Sequence, residues 1–353
     1  MADPNSEAKQ ELPPPPPPLT TTYKVINGSN ITTDIYLPDS PPPKGRDTYP
    51  GEVITLHGGA FMLGHSGLVS LAQVSDCLGR GWIVVSPNHR LCPGVDVTAL
   101  MEDVRDLLGW CYGEFDCEGL EGKQGLDGVL EGVEKEKGRK YKVDKDRVMA
   151  MGTSSGGFLA LSLGYDIPRP PRAILNFYGA VQFTHPSWTK PLPHVQAILP
   201  KDGFPPEFLK RVYEECPVPT TSGISLEGQA QQQKPNKPDF NNPRDAFAMT
   251  QIANGTVLNA IYPREKGDIK QVDPVNKIGL GFPPTFIVHG DSDRMVSVEV
   301  SRNLYRVLQE KGVRCRMVEV QGEDHTFALG MSVRSRAWRE SVRGFEWLEE
   351  VIQ

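Results

Sequence analysis

A chain of 353 residues with 38% hydrophobic content is long enough to bury a large core as one α/β domain with an insertion. Its net charge of −6 gives no electrostatic case for nucleic acid or an anionic membrane as partner. A spanning helix is excluded, because no run of about 18 apolar residues occurs.

Taken in chain order, the first segment is Met1 to Ser6, polar and acidic, without the basic and apolar regions of a secretory signal. A cytoplasmic location is therefore expected, with the sequons at Asn27, Asn30 and Asn254 silent. The six cysteines (Cys77, Cys92, Cys111, Cys117, Cys216 and Cys315) lack paired-ligand spacing, so reduced, mostly buried thiols are expected. Six consecutive prolines, Pro13 to Pro18, make residues 1–20 a polyproline tail, predicted to be disordered. Tyr23–Ile26 and Ile31–Leu37, around Asn27-Gly28, read as an antiparallel edge pair. Glu52–Leu56 reads as a buried strand that runs into His57-Gly58-Gly59-Ala60-Phe61. A helix over 67–79, a strand at Trp82–Ser86 and a helix over 97–112 follow. In the last, Leu100, Val104, Leu107, Leu108 and Cys111 recur at helical spacing. Residues 117–142, rich in Gly, Glu and Lys, read as a surface insertion without chemistry.

Val148–Met151 is an apolar strand entering Gly152-Thr153-Ser154-Ser155-Gly156, and a helix of small and apolar residues leaves it. This is the pattern of a sharp strand-to-helix turn that holds one serine exposed at its apex. Placing Ser154 at the apex puts Gly152 and Gly156 at the flanks, whereas Ser155 would put Thr153 there. Ala173–Tyr178 is the next strand. Residues 180–275 are too long for an ordinary loop and read as a cap, with Phe183, Trp188, Phe204, Phe208, Tyr213, Phe247 and Tyr262 mostly forming its own core. Within it, Gln229–Pro238 is expected to be flexible. Thr285–Val288 and Arg314–Val320 complete the strands. Strands alternating with helices predict a mostly parallel sheet covered on both faces, with residues 21–179 and 276–353 as the α/β core.

The candidate chemistry sits where strands end. Ser154 is the nucleophile. Adjacent Gly58 and Gly59, together with the N–H of Ser155 at a helix N-terminus, offer donors for a developing oxyanion. His57 reads as an organiser of that loop. His325, in the polar loop Gln321–Phe327, suits a general base. Its carboxylate partner comes from His289-Gly290-Asp291-Ser292-Asp293: both aspartates qualify, Asp293 is preferred, and Asp291 is expected to order the loop. His289 reads as structural.

With these motifs, the chain resembles the α/β-hydrolases, and among them the hormone-sensitive-lipase-like esterases, with their His-Gly-Gly-Gly loop and G-x-S-x-G elbow. Asn88-His89-Arg90-Leu91-Cys92-Pro93 is similar to another segment of that family. The resemblance spans about residues 50–180 and 275–350. It implies an α/β-hydrolase fold, a Ser154–His325–Asp293 triad and an oxyanion hole of Gly58, Gly59 and Ser155. Ala60, Ser155, His89 and Gly94 depart from the family pattern. The His-Gly-Gly-x-aromatic form also resembles that of kynurenine formamidases, which brings in amide hydrolysis.

The expected function is hydrolysis of a small, largely apolar carboxylic ester through an acyl-enzyme, with no metal or organic cofactor and a small molecule as partner. Amide hydrolysis, thioester cleavage and acyl transfer in a biosynthetic pathway use the same parts. A non-catalytic ligand-binding protein would require a missing triad member, and all three residues are present.

Overall fold

Eight strands form one sheet in the order β1-β2-β4-β3-β5-β6-β7-β8. The computed structural model describes residues 12–114, 125–223 and 238–353. The strands are β1 (Leu19–Ile26), β2 (Ser29–Tyr36), β3 (Gly51–Leu56), β4 (Trp82–Pro87), β5 (Val148–Thr153), β6 (Ile174–Phe177), β7 (Thr285–Gly290) and β8 (Cys315–Val320). The β1–β2 and β2–β4 pairs are antiparallel; every other pair is parallel.

The parallel strands read as unbroken apolar runs because both faces are covered. Ile54, Ile83, Val85, Ala150 and Ile287 face one cluster; Val53, Val84, Met149, Met151, Phe286 and Val288 face the other. On the second face lie α1 (Leu71–Gly79) and α11 (Arg336–Ile352), through Val74, Cys77, Phe345, Trp347 and Leu348. The first face is covered by α2 (Val97–Tyr112), α3 (Gly125–Lys137), α4 (Ser155–Ser162) and α9 (Val298–Glu310). Asp96 caps α2 by accepting from Thr98 N (2.9 Å), and Gly113 ends it in the left-handed region at φ 72°. All five apolar residues read at helical spacing in α2 are buried, each worth about 1.5–3 kcal/mol. α4 is buried on every side, which accounts for its lack of a polar face.

The structure departs from the sequence reading in two segments. The second half of 117–142 is not a bare surface insertion. Leu126, Val129, Leu130 and Val133 of α3 recur at helical spacing and join the core, a stripe concealed by the surrounding Gly, Glu and Lys. Residues 115–124, Cys117 among them, lie outside the described residues. Of the expected disordered tail, residues 1–11 also lie outside them, whereas Pro13 O accepts from Ser75 Oγ of α1 (2.8 Å) and β1 begins at Leu19.

Between β6 and β7 the chain forms short helices: α5 (Pro193–Gln196), α6 (Pro206–Lys210), α7 (Pro243–Asn254) and α8 (Val257–Ile261). Most of Gln229–Pro238 lies outside the described residues. Arg244 of α7 fastens this segment to the core. Its buried guanidinium donates to Met62 O (2.8 Å) and Cys92 O (2.6 Å) and pairs with Glu215. Asp273 ties the end of the segment to its beginning, accepting from Gln182 N (3.1 Å) and Phe183 N (2.7 Å). After β8 comes the short α10 (Phe327–Gly330). Among the described residues, no helix is long and apolar enough to cross a membrane.

Candidate active site

Ser154 stands between β5 and α4 at φ 53° and ψ −121°, a conformation costly for a residue with a Cβ, by about 1–3 kcal/mol. The turn closes only with glycine on both sides. A Cβ on Gly152 would lie 2.1 Å from Gly156 O, and one on Gly156 would lie 2.1 Å from Leu56 O. Ser154 N donates to Phe177 O and Ala180 N to Ser154 O, both at 3.0 Å, which lock the apex to the end of β6.

His325 Nε2 lies 3.0 Å from Ser154 Oγ, and His325 Nδ1 lies 2.6 Å from Asp293 Oδ2. An ionised carboxylate only accepts, so Nδ1 carries the proton and Nε2 turns its lone pair to the serine. Asp293 is held in place by Met295 N and Val296 N, which donate to Oδ1 at 2.8 Å each. Burial alone would raise its carboxyl. The His325 charge and the hydrogen bonds from His289 and His325 outweigh that and hold it well below the usual carboxylate range. Asp291 sits apart and accepts from Gly322 N (2.7 Å), ordering the neighbouring turn.

The sequence reading gave His289 no part near this chain of contacts. Its Nε2 lies 3.1 Å from Asp293 Oδ2 and 3.0 Å from Val296 O, and its Nδ1 lies 2.7 Å from Ser301 Oγ. The signal was its i, i+4 spacing to Asp293 across the strand end. Tyr178 was also missed: its ring stands edge-on to His325 at 4.8 Å.

The loop after β3 shapes the other side. His57 is buried, its Nδ1 lies 2.7 Å from Gly58 O, and its ring stacks on His89 at 4.6 Å. Burial, and then the neighbouring His89, push His57 well below its usual range, so it stays neutral. Gly59 (φ 129°) tucks under Leu63, where a Cβ would lie 2.1 Å from Leu63 O. Gly59, Ala60 and Ser155 line the cavity that holds Ser154 and His325, whereas Gly58, one of the three expected oxyanion donors, does not. Gly58 O meets His57 Nδ1, and Ala60 lies at the cavity wall. As the first residue of α4, Ser155 has an N–H without an intrahelical acceptor.

The cavity is small, about 60 Å³, and its walls are mostly apolar: Phe61, Trp188, Leu192, Ile252, Val257 and Met295. Of the aromatics read in 180–275, Trp188 lines it, and Phe183 supports it from beneath by packing on Phe61 and Phe158. Phe204 and Phe208 pack together elsewhere in the segment. Among the described residues, no group of three or more metal-ligating side chains gathers.

A family model described as the alpha/beta hydrolase fold matches residues 53–207, and one described as the prolyl oligopeptidase family matches residues 251–353. Thermogutta terrifontis esterase 2, in its form phosphorylated by paraoxon, superposes with a TM-score of 0.55 at 16% identity over 96% of both chains. A Staphylococcus aureus Mu50 protein of unknown function superposes at 0.62, with 16% identity, over 95% of this chain and 100% of that one. The chain has the α/β-hydrolase fold. Among curated relatives, this chain is 27% identical to the non-reducing polyketide synthase ausA of Aspergillus calidoustus and 26% identical to the non-reducing polyketide synthase Preu6 of Preussia isomera. It is aligned over 92% of its own length in both cases and spans 14% of each of those much longer proteins.

Proposed function

We propose that this chain is a serine hydrolase that cleaves carboxylic esters of small, largely apolar substrates. The observation that carries this reading is the unbroken Ser154–His325–Asp293 contact chain opening on an apolar cavity. His325 Nε2 takes the Ser154 proton as Oγ attacks the ester carbonyl, and Asp293 stabilises the imidazolium that forms. The N–H groups of Gly59, Ala60 and Ser155 face the developing oxyanion. His325 then protonates the leaving alcohol, and water attacks the acyl-enzyme with His325 again as base. In this reading residues 180–275 are the cap over the C-terminal edge of a core made of 21–179 and 276–353, and the small cavity favours a short or slender acyl group.

A second reading is favoured by the polyketide synthases among the relatives: Ser154 takes its acyl group from a thioester and passes it to water or to an alcohol. The chemistry at Ser154 is the same, and the acceptor differs.

Brief exposure to a fluorophosphonate, followed by intact-protein mass, tests the shared step. One adduct on the wild type and none on Ser154→Ala is expected. A folded wild type that stays unlabelled would overturn the hydrolase reading. Product analysis with competing alcohols then separates hydrolysis from transfer.

A further inference from the structure

Besides His325, the residues lining the cavity that holds Ser154 include one residue with a charged side chain, Lys190; the rest are apolar or uncharged. Lys190 is exposed, whereas Ser154 is 8% exposed, so Lys190 belongs to the outer part of the cavity lining. The backbone that carries it is clamped. Lys190 N donates to Ser187 O (3.2 Å), and Leu192 N donates to Ala253 O at the end of α7 (2.8 Å). Gly255 packs so closely that a Cβ there would lie 2.6 Å from Lys190 O, and its φ of 65° also favours glycine. Some surface lysines face carboxylates, as Lys145 does Asp127 and Lys277 does Asp166, while others, such as Lys201 and Lys311, face none among the described residues; what sets Lys190 apart is its place among the cavity residues. Among the described residues Lys190 has no carboxylate partner. A lysine at the edge of an apolar cavity, with no carboxylate beside it, can reach a ligand with an apolar body and an anionic tip.

We propose that Lys190 is a specificity residue that binds a carboxylate or phosphate on the substrate, at the end remote from the scissile carbonyl. The proposal rests on the reading of Ser154 as the nucleophile and adds the substrate class to it. The anion can belong to the acyl part or to the leaving group, and the four-carbon stem of the lysine lets the ammonium follow either.

Three esters separate these arms: p-nitrophenyl butyrate, which is neutral; mono-p-nitrophenyl glutarate, with a carboxylate on the acyl side; and the butyrate ester of 5-hydroxy-2-nitrobenzoate, with one on the leaving group. The wild type should prefer one of the anionic esters by kcat/KM over the neutral one. Lys190→Gln should lower that preference about tenfold, chiefly through KM, as befits one partly solvated charge pair. Lys190→Glu should reverse it, Lys190→Arg should retain it, and added salt should weaken it. A preference that is absent, or that is the same in Lys190→Gln, overturns the proposal. Calorimetric binding of the same esters to Ser154→Ala keeps this result apart from the hydrolase reading. Tighter binding of an anionic ester, lost in Ser154→Ala/Lys190→Gln, supports the proposal even if the wild type turns none of them over. Equal binding of the neutral and anionic esters overturns it whatever the turnover.

Discussion

Two buried carboxylates sit at opposite ends of the same sheet, and their surroundings give them opposite characters. Asp293, in the loop after β7, meets two backbone N–H groups and two imidazoles. Glu52, near the start of β3, is fully buried beneath α2 and α3, and its carboxyl meets no backbone N–H or ring N–H among the described residues, only the weak Cys111 thiol. Burial raises Glu52 to about 7, with a smaller contribution from Asp127, while Cys111 and Lys145 pull the other way. Burial also acts against the charge of Asp293, and its donors overcome it. The fold makes a carboxylate useful as a fixed negative charge where strand ends and loops bring N–H groups to it. Inside the layered core, where backbone donors are consumed by ladders and helices, the same group favours its neutral form.

The largest effect should come from breaking the Asp293 side of this contrast. Asp293→Asn keeps the shape but lets the amide donate, so His325 is pushed toward the wrong tautomer. With p-nitrophenyl butyrate as substrate, kcat should fall about a thousandfold or more. A loss of less than tenfold would remove Asp293 from the proposed mechanism.

Glu52 sharpens the contrast through pH. The folded protein holds a proton at Glu52 that the unfolded chain releases above pH 4.5, so stability should fall as pH rises and level off above about 7. Between pH 5.5 and 8.5 this group should cost the wild type about 2 kcal/mol, and Glu52→Gln should abolish that part of the slope. Urea unfolding at the two pH values measures it, and an unchanged slope in Glu52→Gln would show that the carboxyl is not the source. Asp293 has the opposite sign. Its contribution to stability is present at neutral pH and is lost only as pH falls below about 4.

The smallest expected effect concerns the second imidazole on Asp293. His289→Leu removes one hydrogen bond to the carboxylate and should lower kcat about tenfold, with KM little changed. A KM effect of the same size with kcat intact would give His289 a role in shaping the cavity instead.

These contrasts were unequally visible in the sequence. The elbow was legible because close backbone contacts at Gly152 and Gly156 admit no other residue, so the geometry leaves a mark in one dimension. The helix at 97–112 was legible from its apolar period; its cap at Asp96 came only with the structure. α3 was hidden because its stripe is interrupted by glycines and charges. The cavity wall at Ala60 was not read from the sequence, since two adjacent glycines signal a close turn but not which residue after them lines the cavity. The internal arrangement of 180–275 was not legible at all. Its helices are a few residues long, and what holds them is distant: Arg244 reaches Met62 and Cys92, and Asp273 reaches back to Phe183. The burial of Glu52 depends on the same kind of long-range packing.

The Arg244 contacts also constrain how a substrate reaches Ser154. A swinging lid would strip its guanidinium from the Met62 and Cys92 carbonyls and leave buried charge and bare acceptors behind. Met62 adjoins the Gly59-Ala60-Phe61 loop that lines the cavity around Ser154, so a movement that opened the door would also disturb the cavity wall. In this arrangement traffic passes between rotating side chains at the mouth, on the nanosecond scale of rotamer changes, while the roof stays bolted to the floor.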